Sequence, residues 1–242
     1  MTCFQLPSLE KKALYVRNQF DRIAGRYNLT NQVISMGMHH SWKKKAVAAL
    51  LIKPTGSYLD ICCGTGDLAF IIAKHLRLGG KVTGIDFSTH MLSIAGTKSQ
   101  LSRLAVRPSW IHGNAEQLPF SDKCFDGAII SFGLRNLTDR LQGIRELARV
   151  VKRGGRVVNL DLGHPTLPVY TPLFMTYFRH LVPLLGLLLQ GDREAYTYLP
   201  ESLKDYPNPS EISAMFHKAG LTNVTHLPLA WGAVSLHAGV VS

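Results

Sequence analysis

The ten residues from Tyr58 to Asp67, Tyr-Leu-Asp-Ile-Cys-Cys-Gly-Thr-Gly-Asp, constrain the fold more than any other stretch of the chain. Tyr58 to Ile61 is a short apolar run carrying one acid, Asp60. The run breaks at Gly64-Thr65-Gly66 and passes at once into a helical pattern with Leu68, Ile71, Ile72 and Leu76. That succession predicts a strand, a glycine turn and a helix. The corner calls for glycine because its backbone takes unusual torsions and lets a ligand come close where a Cβ would intrude.

Two kinds of nucleotide-like ligand use such a corner. Gly64-x-Gly66-x-x-Ala69 satisfies the dinucleotide fingerprint, and Asp86, which closes the next predicted strand, lies twenty residues past Gly66 as a ribose-binding acid would. Asp60 separates the two readings: a carboxylate there repels a pyrophosphate and attracts the ammonium of an amino-acid tail. S-adenosylmethionine, a sulfonium with such a tail and no phosphate, suits the arrangement. An NAD(P)-dependent oxidoreductase is the alternative, and a turn that only packs a helix on a strand is the third reading.

The rest of the chain alternates strand and helix in the manner of an α/β protein. Strands are predicted at Lys81 to Asp86, Trp110 to His112, Asp126 to Ser131, 156 to 161, Val224 to Leu229 and Gly232 to Val241, which with the first makes seven. Arg153-Gly154-Gly155 is expected to turn the chain into its fifth strand. A helix from 9 to 26 has a basic outer face, and the polar, aromatic and glycine-rich stretch after it, through Trp42, is expected to cap the site. Residues 165 to 200 interrupt the alternation with a strongly apolar segment containing Pro172, Pro183, Arg179 and His180. It is too broken for a spanning helix, which needs about 20 nearly uninterrupted apolar residues. A helix or helix pair over the substrate mouth fits better, with an ordinary buried helix as the other reading. One domain is therefore expected: residues 1–52 a helical cap, 53–163 a cofactor-binding core, 164–207 an apolar helical insertion, and 208–242 a helix with a strand hairpin.

Chemistry is expected at the carboxyl ends of the central strands, where open α/β sheets place it. Asp86 can accept hydrogen bonds from a vicinal diol, Asn114 with the Ala115 amide can match an adenine edge, and Arg135 with Asn136 follows the most apolar strand. Asn114 is also an ordinary turn residue.

The four cysteines (Cys3, Cys62, Cys63, Cys124) show no metal-binding spacing, and no pair of histidines brackets a helical acid, so no metal site is expected. The net charge of +11 admits nucleic acid, an anionic membrane surface or no particular partner. An amine-directed nucleic-acid methylating enzyme would carry Asn/Asp-Pro-Pro-aromatic where this chain has Ser131-Phe-Gly-Leu, and no cysteine follows a proline as a cytosine-C5 enzyme requires. The charge therefore reads as attraction to lipid headgroups. No Tyr-x-x-x-Lys is present, which counts against one subclass of dehydrogenase.

Several longer motifs carry a resemblance. They are Phe20-Asp-Arg-Ile-Ala, Tyr27-Asn-x-x-Asn31, Ser35-x-Gly37-x-His39-x-x-Trp42, the corner itself, Asn114-Ala-Glu-x-Leu-Pro-Phe120, Ser131-Phe-Gly-Leu-Arg-Asn-Leu-Thr-Asp139, Arg149-Val-Val-Lys-x-Gly-Gly155 and Tyr198-Leu-x-Glu-Ser202. Over nearly its whole length the chain resembles the ubiquinone/menaquinone biosynthesis C-methyltransferases of the UbiE/MenG type. The resemblance implies a class I S-adenosylmethionine-dependent, Rossmann-like fold: a seven-stranded, mostly parallel sheet with helices on both faces. It implies methylation of a ring carbon of a prenylated quinol, in the menaquinone or ubiquinone series. Thr65, Asp86, Asn114, Ala115 and Ser131 look like the cofactor contacts, beside Asp60, Gly64 and Gly66 of the corner. Tyr27, Arg135 and Asn136 match positions facing the quinol, Arg135 stabilising a quinolate and the other two orienting the ring. Another small lipophilic or phenolic acceptor remains an alternative. A cytoplasmic enzyme peripherally associated with the membrane is expected, with a homodimer left open. Departures from the family pattern are Asn28 for Asp, Arg153 for Pro, and Leu160-Asp161-Leu-Gly163 for Leu-Glu-x-Ser. All are expected to lie away from the cofactor turn.

Overall fold

The computed structural model describes residues 9–242. Cys3 and the first residues of the expected cap lie outside the described residues. Three helices come before the sheet: α1 (Leu9–Ile23), α2 (Tyr27–Ile34) and α3 (His39–Ala49), the first two joined by a tight helical turn at Ala24–Arg26. The alternating core follows as β1 (Ser57–Ile61), α4 (Asp67–Ala73), β2 (Lys81–Asp86), α5 (Thr89–Leu101), β3 (Ser109–His112), β4 (Phe125–Ser131), α6 (Arg140–Val150) and β5 (Val151–Leu162). Next come α7 (Tyr170–Thr176), α8 (Val182–Gln190) and α9 (Arg193–Lys204). The chain closes with α10 (Pro209–Lys218), β6 (Leu221–Leu229) and β7 (Val234–Val241).

All seven strands form one sheet in the order β3-β2-β1-β4-β5-β7-β6. The five strands from β3 to β5 are parallel, and β7 runs against both of its neighbours. This is the Rossmann-like α/β sheet expected from the sequence. Strand order reverses between β1 and β4, the switch point where a crevice opens at the carboxyl ends. The central strands read as unbroken apolar runs because both faces are covered. Leu59, Ile61, Ala128 and Ile130 feed one core, while Tyr58, Val82 and Ile129 feed the other. Helix starts follow from local chemistry: the side chain of Ser88 accepts the Met91 amide ahead of α5, and that of Asp139 accepts the Gln142 amide ahead of α6.

Two elements differ from the sequence reading. Strand β5 begins at Val151 rather than after the glycines, and Arg153-Gly154-Gly155 forms an excursion within it, with the register against β4 shifting between Phe125 and Gly127. The apolar insertion is also less broken than its prolines suggest. Tyr170 to Gln190 forms one helical run of 21 residues, long and apolar enough by composition to cross a membrane. Its middle turn, Tyr177–Leu181, is a wider π turn. That turn stands immediately before Pro183, which has no amide to donate and whose ring crowds the carbonyl four residues back, so widening the turn keeps the helix continuous.

Candidate active site

The glycine corner sits between β1 and α4 with both glycines in left-handed torsions, φ +54° at Gly64 and +84° at Gly66. A Cβ at Gly64 would project into open space within the crevice, whereas one at Gly66 would collide with the Trp110 ring. Gly64 thus leaves room for a ligand and Gly66 leaves room for the protein. Cys62 and Phe132, which follow the neighbouring strands β1 and β4, also hold φ of +53°. Each costs on the order of 1–3 kcal/mol, a strain that persists only where the surroundings impose it.

The acids of the corner are already partly engaged. Asp60 is fully buried beneath the turn and does not line the crevice: its Oδ2 accepts the Ala69 amide at 3.0 Å, and its Oδ1 has no partner among the described residues. Burial pushes its carboxyl up to about 8, although the Ala69 amide pulls the other way. Asp86 does line the crevice, and it holds the corner closed by accepting the Gly64 amide at 2.8 Å and the Ser88 amide at 2.9 Å. Thr65 and Gly66 lie behind the surface. The Thr65 hydroxyl donates to Asn28 Oδ1 of α2 at 2.8 Å. Asn28 therefore touches the cofactor turn, which corrects the expectation that this departure lies away from it. Beside it, burial works against the charge of Asp67, yet Lys43 and Lys98, at 2.8 and 3.3 Å, bring its carboxyl down to about 2.

The crevice continues across the strand ends as a cavity of about 740 Å³, counting its open mouth, with Cys62, Gly64, Asp86, Asn114, Ala115 and Ser131 on its walls. Asn114 Oδ1 accepts the Glu116 amide at 2.9 Å, the ordinary turn role. Its carboxamide nitrogen is left to face a ligand. The Ser131 hydroxyl is buried with no partner among the described residues. Orphaned polar atoms at Asp60 and Ser131, with the space a Cβ would fill at Gly64, fit an adenosine-bearing amino acid entering the corner.

A second cavity of about 850 Å³, its mouth included, lies on the other side of Phe20, Tyr27 and Phe132, which line both. Helices α1, α2, α3 and α9 roof it, and Ile23, Ile34, Trp42, Leu162, Phe178 and Leu199 make it mainly apolar. Arg135 lines this cavity rather than the first, while Asn136 lines the first. The structure therefore brings together eight of the expected site residues around two adjoining chambers, with Asp60, Thr65 and Gly66 in supporting positions.

Arg135 is not free to swing onto a ligand. It is buried, its Nη1 donates to Asp161 Oδ1 at 2.6 Å and to the Phe132 carbonyl at 2.7 Å, and its backbone amide donates to Asp161 Oδ2 at 3.1 Å. Burial opposes its charge, but Asp161 outweighs burial and raises its pKa. Its Nε is buried without a partner among the described residues. Asn136 Nδ2 donates to the Phe132 carbonyl at 3.2 Å, and its Oδ1 accepts the Tyr198 hydroxyl at 3.1 Å. Asp161, the partner that holds Arg135, is a residue of the site that sequence reasoning missed. It stands at the departure from the family pattern, and the missed signal is a lone acid at the carboxyl end of a central strand, which needs a buried cation beside it.

Comparison with known proteins places these features in context. A model of the ubiE/COQ5 methyltransferase family matches residues 8–241. A demethylmenaquinone methyltransferase from Halalkalibacterium halodurans is 40% identical over 234 residues, 96% of this chain and 94% of that protein. One from Desulfitobacterium hafniense is 40% identical over 228 residues, 94% of this chain and 90% of its own length. Among solved structures, an S-adenosylmethionine-dependent methyltransferase from Thermotoga maritima superposes with a TM-score of 0.67 at 18% identity, covering 94% of this chain and 100% of the other. That likeness speaks to the fold alone.

Proposed function

Since this chain belongs to the ubiE/COQ5 methyltransferase family, we propose that it methylates a ring carbon of a prenylated quinol, with demethylmenaquinol as the first acceptor to consider. The chain is an S-adenosylmethionine-dependent methyltransferase, and the bound cofactor supplies an already activated methyl group. The protein's own task is to hold two ligands in line, keep water out and manage one proton. Alignment of that kind is worth about 7–11 kcal/mol in favourable cases.

One observation carries the acceptor assignment: a cavity at the strand ends that bears Asp86, Asn114, Glu116 and Ser131 meets a more apolar one at a wall made of Phe20, Tyr27 and Phe132. Gly64, Asp86, Asn114, Ala115 and Ser131 line the cofactor side, with Asp60 reaching its ammonium end through the turn it supports. A flat, lipophilic ring fits the other side, where Arg135 supplies positive charge near a developing quinolate while Asp161 keeps it in place. Tyr27 and Asn136 stand at the junction and orient the ring. A nicotinamide dinucleotide, the earlier alternative, has no support in the family match. Extracts supplied with labelled S-adenosylmethionine and each demethylated naphthoquinol or benzoquinol in turn test the reading. Label entering neither quinol would overturn it.

The enzyme works in the cytoplasm against the membrane surface. Helix α2 packs beside the helical run 170–190, where Tyr177 of its π turn donates to the Ile34 carbonyl at 2.6 Å, and around this contact the side chains of Leu29, Met36, Leu184 and Leu188 are exposed. Exposed basic residues lie on the adjoining segments, Lys44 and Lys45 on α3 and Arg179 in the π turn that leads into α8. Each basic residue near an anionic surface contributes about 1 kcal/mol. Liposome flotation that ignores both salt and anionic lipid would count against this placement.

A further inference from the structure

The apolar cavity carries one basic nitrogen that the other described residues leave open, on the ring of His39. This residue opens α3, is buried, and lines the cavity with Trp42, Tyr27 and Arg135. Its Nδ1 lies 2.6 Å from Ser35 Oγ, and that same Oγ lies 2.6 Å from the Asn31 carbonyl oxygen. A carbonyl cannot donate. Both contacts are hydrogen bonds only if the single hydroxyl proton goes to Asn31 and the ring donates from Nδ1. The imidazole is then locked in the Nδ1–H form, and Nε2 is left with a lone pair and no partner among the described residues.

We infer that His39 Nε2 takes the proton from the acceptor's ring hydroxyl as the new carbon–carbon bond forms, an inference that rests on the methyl-transfer reading above. The bookkeeping of atoms closes without any further reagent. The ring carbon forms its bond to the methyl carbon, the carbon–sulfur bond breaks with its electron pair left on sulfur, and the hydroxyl proton moves to Nε2. The ring is then a ketone bearing both the methyl group and its original hydrogen. That hydrogen leaves as a proton to water while His39 returns its own proton to the oxygen, so the net product is one proton.

The environment suits such a late transfer. Burial, then Lys43 and His40 on the same helix, hold the imidazole down to about 4, with Asp67 across from α4 pulling weakly the other way. Tyr27, Arg135 and Tyr198 share its cavity. A base this weak does not ionise a resting phenol, but it is neutral and ready at physiological pH. Once the ring carbon is alkylated, the hydroxyl becomes a far stronger acid, and a weak base then suffices.

The test uses the full chain with S-adenosylhomocysteine bound and compares a short-tailed naphthalene diol with its dimethyl ether, which has no proton to give. The wild type is expected to bind the diol more tightly, and imidazole nitrogen NMR should show an unprotonated Nε2 that becomes hydrogen-bonded when the diol is added. His39→Phe should erase the preference for the diol and lower kcat about 100-fold or more, with S-adenosylhomocysteine affinity unchanged because the other cavity is intact. Ser35→Ala, a milder change that releases the ring tautomer, should show the same trend more weakly. A proton found on Nε2 in the wild type, or either variant keeping both the diol preference and wild-type turnover, would overturn the inference. If the wild type binds neither diol nor ether, the methyl-transfer reading falls first and this inference with it.

Discussion

The two cavities that meet at Phe20, Tyr27 and Phe132 are built in opposite ways. The more polar one is formed mainly by residues just past the ends of adjacent parallel strands, with α1 and Tyr27 closing one side, so most of its geometry is fixed by the sheet register and by backbone amides. The apolar one is roofed by helices that precede the sheet and by a segment inserted after β5, so residues more than a hundred positions apart must fold together before it exists. One cavity is a property of local sequence, and the other is a property of assembly.

If that contrast is real, a change in one chamber should leave ligand binding in the other intact. The largest effect is expected from Arg135→Ala. Removing the cation leaves Asp161 buried and unpaired, at a cost of about 3–5 kcal/mol to folding. Denaturant unfolding should show that loss, and whatever remains folded should still bind S-adenosylhomocysteine. Loss of that binding in folded protein would break the distinction between the chambers.

A smaller effect sharpens the polar side. Asp60 is held near 8 by burial, so at pH 7 it is largely protonated until a positive charge arrives above it. Cofactor binding should then release a proton, with affinity rising by about tenfold, or about 1.4 kcal/mol, per pH unit below 8 and levelling off above it. Calorimetry in buffers of different ionisation heat measures the release, and Asp60→Asn should abolish it. Linkage also fixes the sign for folding. A carboxyl whose pKa is raised in the folded state stabilises fully below its unfolded value near 3.8, and that stability is lost as pH rises through about 8. The smallest effect is expected at Ser131→Ala. Its hydroxyl is buried with no partner among the described residues, so the free protein should be unchanged or up to about 1–3 kcal/mol more stable, while cofactor binding weakens. Weakened acceptor binding instead would assign Ser131 to the wrong chamber.

The same contrast explains what could be read in advance. Gly64, Gly66, Asp60 and Asp86 announce themselves because glycine torsions, apolar strands and strand-end acids leave patterns within a few residues of each other. The helix starts at Ser88 and Asp139 are legible for the same reason. Asp161 could not be paired with Arg135 from the sequence, because what joins them is the neighbouring of β4 and β5 in the sheet. The Ser35–His39 pair was visible as spacing, but its proton arrangement depends on the Asn31 carbonyl and its purpose on the cavity it lines. Pro172 and Pro183 suggested a broken segment because composition does not reveal that a widened turn can absorb a missing amide.

The hydrogen bond from the Thr65 hydroxyl to Asn28 ties the glycine corner to the helical roof. A clasp of this kind fastens the bend that follows β1 to a helix that precedes the sheet, so the lintel over one room and the sill of the other are cut from the same joint.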